Sequence, residues 1–165
     1  MMPFTSPVAP PAALFLVMIL AAVPAQSQQV PGRRSIGVHV GVGLSGGVGE
    51  QRIGVQATVP LAGPAEFYPL LSVFLTDEFP TGSFTAIAAI RARLWLTAHG
   101  SRPSFYAGAG VKFSHVNIDE VLDVGVAGIE VSSGKFRPFA ETHIFGVIAR
   151  GTLSVNLLGG LNVAF

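Results

Sequence analysis

The sequence predicts an all-β chain, an eight-stranded antiparallel up-and-down transmembrane β-barrel. Three observations lead there. Apolar and polar residues alternate with a period of two in run after run beyond residue 34, and no window repeats with the helical period. Only 12% of the 165 residues are charged while 50% are apolar, against roughly 25% charged in ordinary soluble proteins. The final run, Gly151 to Phe165, puts Leu153, Val155, Leu157, Leu161, Val163 and Phe165 on one face and Thr152, Ser154, Asn156, Gly160 and Asn162 on the other. One such face suits lipid and the other a polar interior.

Taken in order, the first run is Ser35 to Leu44, with Ile36, Val38, Val40, Val42 and Leu44 opposed by Gly37, His39, Gly41 and Gly43. The segment Ser45 to Gln51 reads as a turn, and Arg52 to Leu61 alternates again, Ile53, Val55, Ala57, Val59 and Leu61 against Arg52, Gly54, Gln56 and Thr58. After the turn AGPAE, the third run, Phe67 to Thr76, is apolar on both faces and carries Pro69, so its facing stays open. The fourth, Phe84 to Thr97, sends Arg91 and Arg93 to one face, and the fifth, Ser104 to His115, opposes Phe105, Ala107, Ala109, Val111 and Phe113 to Tyr106, Gly108, Gly110, Lys112 and Ser114. The sixth, Asp123 to Ser132, is ambiguous in facing, and the seventh, Phe136 to Ala149, places Arg137, Glu141 and His143 together. An even count of strands with short connections, such as Ser132 to Lys135 and Arg150-Gly151, predicts hairpins between sequential neighbours. Closure of the eighth strand on the first would pair every backbone group, the condition for residence in hydrocarbon. Inner-face glycines would relieve crowding in a barrel narrow enough for side chains to fill, which argues against an open pore.

Ahead of the barrel, Ala12 to Val23 is continuously apolar, too short for a membrane helix but sized for a signal-peptide core, and Ala25-Gln26-Ser27 has the small-x-small form of a cleavage site. Residues 1–27 are therefore expected to be a cleaved export signal and 28–165 the barrel domain. No cysteine is present, which excludes disulfides and a lipid-anchored cysteine. A net charge of +1 with scattered basic residues gives no footprint for nucleic acid.

The segments PSFYAGAGVKFS (103–114) and GVAGIEVSSGKFRPFAETHI (125–144), with the Phe-terminated last strand, resemble the small outer-membrane β-barrel domain family of Gram-negative bacteria, the outer-membrane-protein-A-like and X-like barrels. The resemblance implies a cell-envelope protein in the outer membrane, in contact with its lipids, monomeric, and inserted by the barrel assembly machinery with Phe165 as the assembly signal. Asn162 and Val163 stand where that family often carries aromatic residues. Membership implies no single activity.

Like-facing Arg91, Arg93, Lys112, Arg137, Glu141 and His143 are expected to form a polar network filling the lumen, since enclosed ions must pair. The competing reading of Glu141 and His143 is an acid/base pair, because i and i+2 share a strand face. A membrane hydrolase would need an oriented nucleophile, and Ser114-His115 are adjacent, hence on opposite faces. No catalytic, cofactor or metal site is expected. His39, His99, His115 and His143 lie on different elements without ligand spacing, and the glycine runs lack the Gly-Lys-Ser/Thr and helix of a phosphate loop. Trp95, Tyr106, Phe105 and Phe136 suit either interfacial aromatic girdles or core packing. The function expected is structural or surface-interacting, presenting Ser45 to Gln51, Asp77 to Ser83 and Asn117 to Asp123 as loops. Two alternatives stay open: a barrel passing small hydrophobic molecules into the membrane, and a soluble periplasmic lipid-binding barrel with its apolar faces turned inward.

Overall fold

The computed structural model describes residues 34–45, 48–75, 83–95, 103–114, 121–147 and 152–165. The leader, the cleavage site, and the loops Asp77 to Gly82 and Asn117 to Glu120 lie outside them. Eight strands follow one another: β1 (Ser35–Ser45), β2 (Val48–Pro60), β3 (Ala65–Phe74), β4 (Phe84–Trp95), β5 (Pro103–Ser114), β6 (Val121–Val131), β7 (Phe136–Val147) and β8 (Thr152–Ala164). Each pairs antiparallel with its sequence neighbours, and β8 closes on β1 from Ser35↔Ala164 to Leu44↔Val155. Strands of ten to thirteen residues, tilted as barrel closure requires, rise about 25–33 Å, the thickness of a hydrocarbon layer.

The tilt is set by the ladder. Stepping strand to strand from Val59 through Phe67, Ile90, Ala109, Gly125, Ile144, Val155 and Leu44 returns to β2 at Gly49, ten residues before Val59. A stagger larger than the strand number tilts the strands and widens the lumen enough to admit long side chains.

Faces sort as period two demands. Ile36, Val38, Val40, Val42 and Leu44 are each more than half exposed, while Ser35, His39, Arg52, Gln56 and Thr58 are buried. The open facing of the third run is resolved with Glu66, Tyr68, Leu70 and Ser72 inside and Phe67, Leu71 and Val73 outside. For the sixth, Val124, Val126 and Glu130 point inward. Several boundaries differ from the sequence reading, and β3 begins at Ala65, not Phe67, which makes Glu66 a strand residue. β2 begins at Val48, not Arg52, so Glu50 and Gln51 are strand residues, because the hairpin pairs Ser45 directly with Val48. β6 begins at Val121, where Phe113↔Val121 extends the ladder through residues read as loop. At the opposite end, Leu61 N–H donates to the Ala65 carbonyl around Gly63, whose φ of 57° suits the residue without a Cβ.

Large inner side chains stand opposite glycines. His39 lies between Gly54 and Gly160, Arg91 faces Gly108, and Gly128 faces Tyr106 on one side and Glu141 on the other. At Gly54 a Cβ would sit 2.1 Å from the Leu71 carbonyl oxygen and 2.7 Å from the His39 ring. Gly54→Val is therefore expected to destabilise the barrel by about 1–3 kcal/mol through overpacking, read as a lower urea midpoint in lipid vesicles. An unchanged midpoint would remove the small-against-large account of the lumen.

Candidate functional site

Among the described residues the buried charged side chains are Arg52, Arg91, Arg93 and Arg137 against Glu50, Glu66, Glu130 and Glu141, so the interior balances its charge. These are four of the chain's eight arginines and four of its six glutamates, which leaves even less charge for the outside.

The network is densest toward the end that carries both ends of the barrel sheet. Glu66 on β3 lies opposite Arg91 on β4 and receives three guanidinium bonds: Arg93 Nε at 2.7 Å, Arg93 Nη2 at 3.1 Å and Arg91 Nε at 3.1 Å. Arg91 also donates to Thr58 Oγ1 at 2.8 Å and to Glu141 Oε2 at 3.3 Å. Its guanidinium is held between the rings of Tyr68 and Tyr106, each centroid 4.1 Å away. Planar stacking on both faces with hydrogen bonds at the edges is the arrangement that suits arginine and that lysine does not reproduce. Arg93 Nη1 donates to Glu130 Oε1 at 2.6 Å and to Ser104 Oγ at 2.8 Å, and Arg137 Nη1 approaches Glu130 at 3.6 Å.

A directed relay joins this layer to the middle of the barrel. Ser72 Oγ lies 2.9 Å from His39 Nε2, and His39 Nδ1 donates to Gln56 Oε1 at 2.7 Å. Gln56 Nε2 donates to Asn162 Oδ1 at 2.9 Å, and Asn162 Nδ2 donates to Glu130 Oε2 at 3.0 Å. Because Gln56 Oε1 only accepts, His39 Nδ1 is the donor to it, and in the neutral imidazole Nε2 then accepts from Ser72. Every bond then points toward the Glu130 carboxylate, a polarisation that strengthens each member.

Glu141 Oε1 accepts from Tyr68 Oη at 2.8 Å and pairs with His143 Nε2. Beyond it Leu70, Ile87, Ala89, Val124, Val126, Phe145 and Leu158, together with Tyr68 and Tyr106, form an apolar cluster contributed by β3 to β8. Lys112 is half-buried there, its Nζ 4.2 Å from the Phe145 ring centroid. Arg52 pairs with Glu50 and lies over Phe74.

The six residues read as a network thus divide. Arg91, Arg93, Arg137, Glu141 and His143 are all buried in one lumen, with Arg91 and Glu141 in direct contact, while Lys112 is half-buried with its Nζ over the Phe145 ring. Sequence reasoning missed Glu66, Glu130 and Glu50, the first and last because they were assigned to turns and Glu130 because its strand's facing was open. The signal was available: three arginines and a lysine against one glutamate is an unbalanced interior. Of the aromatic residues, Tyr106 is 2% exposed and belongs to the lumen, whereas Phe105 and Phe136 face outward, near one rim, as an interfacial girdle requires. Side-chain placement of Trp95 lies outside the described residues, as do His99 and His115. Phe165 is 75% exposed, its N–H donating to the Arg34 carbonyl beside the closing seam. Among the described residues no group of three or more His, Cys, Asp or Glu is arranged to hold a metal.

Solved structures share this architecture. A de novo designed transmembrane β-barrel matches with a TM-score of 0.60 at 12% identity, over 84% of this chain and 99% of that one. The N-terminal β-barrel domain of Pseudomonas aeruginosa OprF matches at 0.56 and 13%, over 80% and 99%. Neisserial surface protein A matches at 0.53 and 10%, over 80% and 96%. The fold is that of the small eight-stranded transmembrane barrels. No family model matches the chain, and no curated protein sequence does. That a designed barrel is among the matches makes the general point that this fold by itself carries no activity.

Proposed function

We propose that this chain is a small bacterial outer-membrane β-barrel with a structural or surface-interaction role, its lumen filled by side chains rather than open as a pore. The observation that carries the reading is the inversion of a soluble protein's layout: large aliphatic side chains cover the outside, and arginine–glutamate pairs fill the inside. Exposing a continuous apolar belt to water would drive aggregation, whereas the same belt is at rest in lipid. In this reading residues 1–27 are the removed export signal, Phe165 is the assembly signal, outer-membrane lipids and the barrel assembly machinery are the partners, and the chain works as a monomer. The lumen residues Arg91, Arg93, Arg137, Glu141 and His143 are structural, with Lys112 covering Phe145.

A non-catalytic role is supported by the state of the Glu141–His143 pair. Glu141 takes hydrogen bonds from Tyr68, Arg91 and His143, and neither member of the pair has exposed side-chain surface. A general base needs reach to a substrate proton. The soluble lipid-binding alternative needs apolar residues facing inward, the reverse of β1, β2 and β8.

Heat-modifiability tests the reading. Expressed with its leader, the protein is expected in the outer-membrane fraction, shortened by the leader, as a band whose gel mobility shifts on boiling. A soluble periplasmic band without a shift would sink it.

A further inference from the structure

The outer wall is not uniform. On β1, β2 and β3 the outward residues in mid-strand are bulky: Val38, Val40 and Val42, Ile53 and Val55, Leu71 and Val73. Across β5, β6 and β7 they are small, with Ala107 facing Ala127, Ala127 facing Thr142, and Ala140 facing Gly159. Larger neighbours border this floor, Phe105 and Ile129 on one side and Leu157, 56% exposed, on the other. Floor and borders together make an outer groove of about 680 Å³, the size of a small-molecule site.

The groove leads to a cation. Of the charged side chains described, those exposed are Arg34 and Lys135, both at the rim that carries the two ends of the sheet. Ala164 N–H donates to the Lys135 carbonyl at 2.8 Å and Phe165 N–H to the Arg34 carbonyl at 3.0 Å, so the two flank the end of β8. Phe165 sits against Arg34, whereas Lys135 stands at the foot of β7, whose outward residues Pro138, Ala140 and Thr142 run up into the groove. No aspartate or glutamate whose side chain is described is exposed, since Glu50, Glu66, Glu130 and Glu141 are buried in the lumen. Seven residues separate Lys135 from Thr142, about 23 Å of strand and, at a barrel's tilt, about 17 Å of depth. One leaflet of a hydrocarbon layer about 30 Å thick is nearly that deep.

Given the outer-membrane reading on which this rests, we infer that the groove seats one acyl chain of an anionic glycerophospholipid, its phosphate at Lys135 and the end of its chain over Thr142, in the leaflet at the rim of the chain ends. A chain lying over alanine sinks below its neighbours and touches Phe105, Ile129 and Leu157 as well as the floor, more atoms than it meets on the bulky wall of β1 to β3. The lysine selects the headgroup. Smaller grooves of about 420 and 480 Å³ on β8, β1 and β2 lie toward the β1–β2 hairpin, away from Arg34 and Lys135, and offer a headgroup no such partner.

The experiment places the whole mature chain in phosphatidylcholine vesicles doped with either phosphatidylglycerol or phosphatidylcholine carrying a diazirine midway along one acyl chain, and maps the photolabelled peptides. With the glycerol lipid, labelling is expected to concentrate on the β6–β7 peptides and to fall about five-fold in Lys135→Gln. Ala127→Phe, which fills the floor, is expected to abolish it, and Ala57→Phe, on the outer face of β2, to leave it unchanged. The gel-mobility shift on boiling is recorded for every sample. A parent chain that does not shift fails together with the outer-membrane reading, whereas a shifting barrel without localised labelling sinks the lipid seat alone. Even labelling around the barrel, equal labelling by the two lipids, no loss in Lys135→Gln, or a photolinked pair of barrels, the sign of a second copy in the groove, overturns it.

Discussion

Glu66→Gln is expected to destabilise the folded barrel by about 3–5 kcal/mol, the loss typical when one member of a buried ion pair is removed and its partner stays. The expectation rests on how much converges on this carboxylate. Arg93 grips both oxygens, Arg91 shares one of them, and all three side chains are essentially buried. Glutamine keeps the shape but replaces one accepting oxygen with an NH2 group that faces guanidinium donors. Arg93 retains Glu130 and Ser104, and Arg91 retains Thr58 and Glu141, so neighbouring bonds persist while the interior carries an uncompensated positive charge. Glu50→Gln, which unpairs Arg52 alone, is expected to lose less. The measurement is the urea midpoint in lipid vesicles, with the temperature of the gel-mobility shift as a second readout. A Glu66→Gln barrel within about 0.5 kcal/mol of the parent would mean that the network is decoration on a fold held by its ladder alone.

The same residues explain what the sequence could and could not reveal. Facing was legible wherever one side of a strand was uniformly aliphatic, as in β1, where Ile36 to Leu44 leave no choice of register. It failed in β3, because Tyr68 and Leu70 are inner residues as apolar as the outer Phe67 and Leu71, a consequence of the apolar cluster that fills part of this lumen. Strand limits failed at glycine: SGGVGEQ has the composition of a loop, yet only Gly46 and Gly47 separate the paired Ser45 and Val48. That error removed Glu50 from view, and the proline-glycine turn before β3 hid Glu66 in the same way. A carboxylate beside a turn is ordinarily solvated. Here both carboxylates lie one or two residues inside a strand, on the inner face, where arginines from neighbouring strands reach them. Those arginines come from positions 25 and 27 residues away from Glu66, a pairing that local pattern does not encode.

The second large effect concerns the outside. Val40→Arg, at the middle of β1, is expected to destabilise the barrel in vesicles by about 2–4 kcal/mol, while Leu44→Arg, four residues nearer the rim, is expected to lose about 0–1 kcal/mol. Both parents are about equally exposed, at 60% and 66%, and both point away from the lumen, so packing does not separate them. In water, arginine at either exposed strand position would be tolerated or would aid solubility. Only a surrounding medium whose polarity changes with depth gives the two substitutions different outcomes, because the guanidinium at Val40 must carry water into hydrocarbon or reach far along the wall to leave it. Neighbours offer no rescue: the residues two along the strand on the same face are Val38 and Val42, and the partners across β2 and β8 are Ile53 and Gly159. Equal, small effects at both positions would show that no hydrocarbon surrounds β1 and would return the apolar belt to the status of an unexplained surface. A steep difference would make the membrane itself, measured through one residue, the solvent for which this sequence is written.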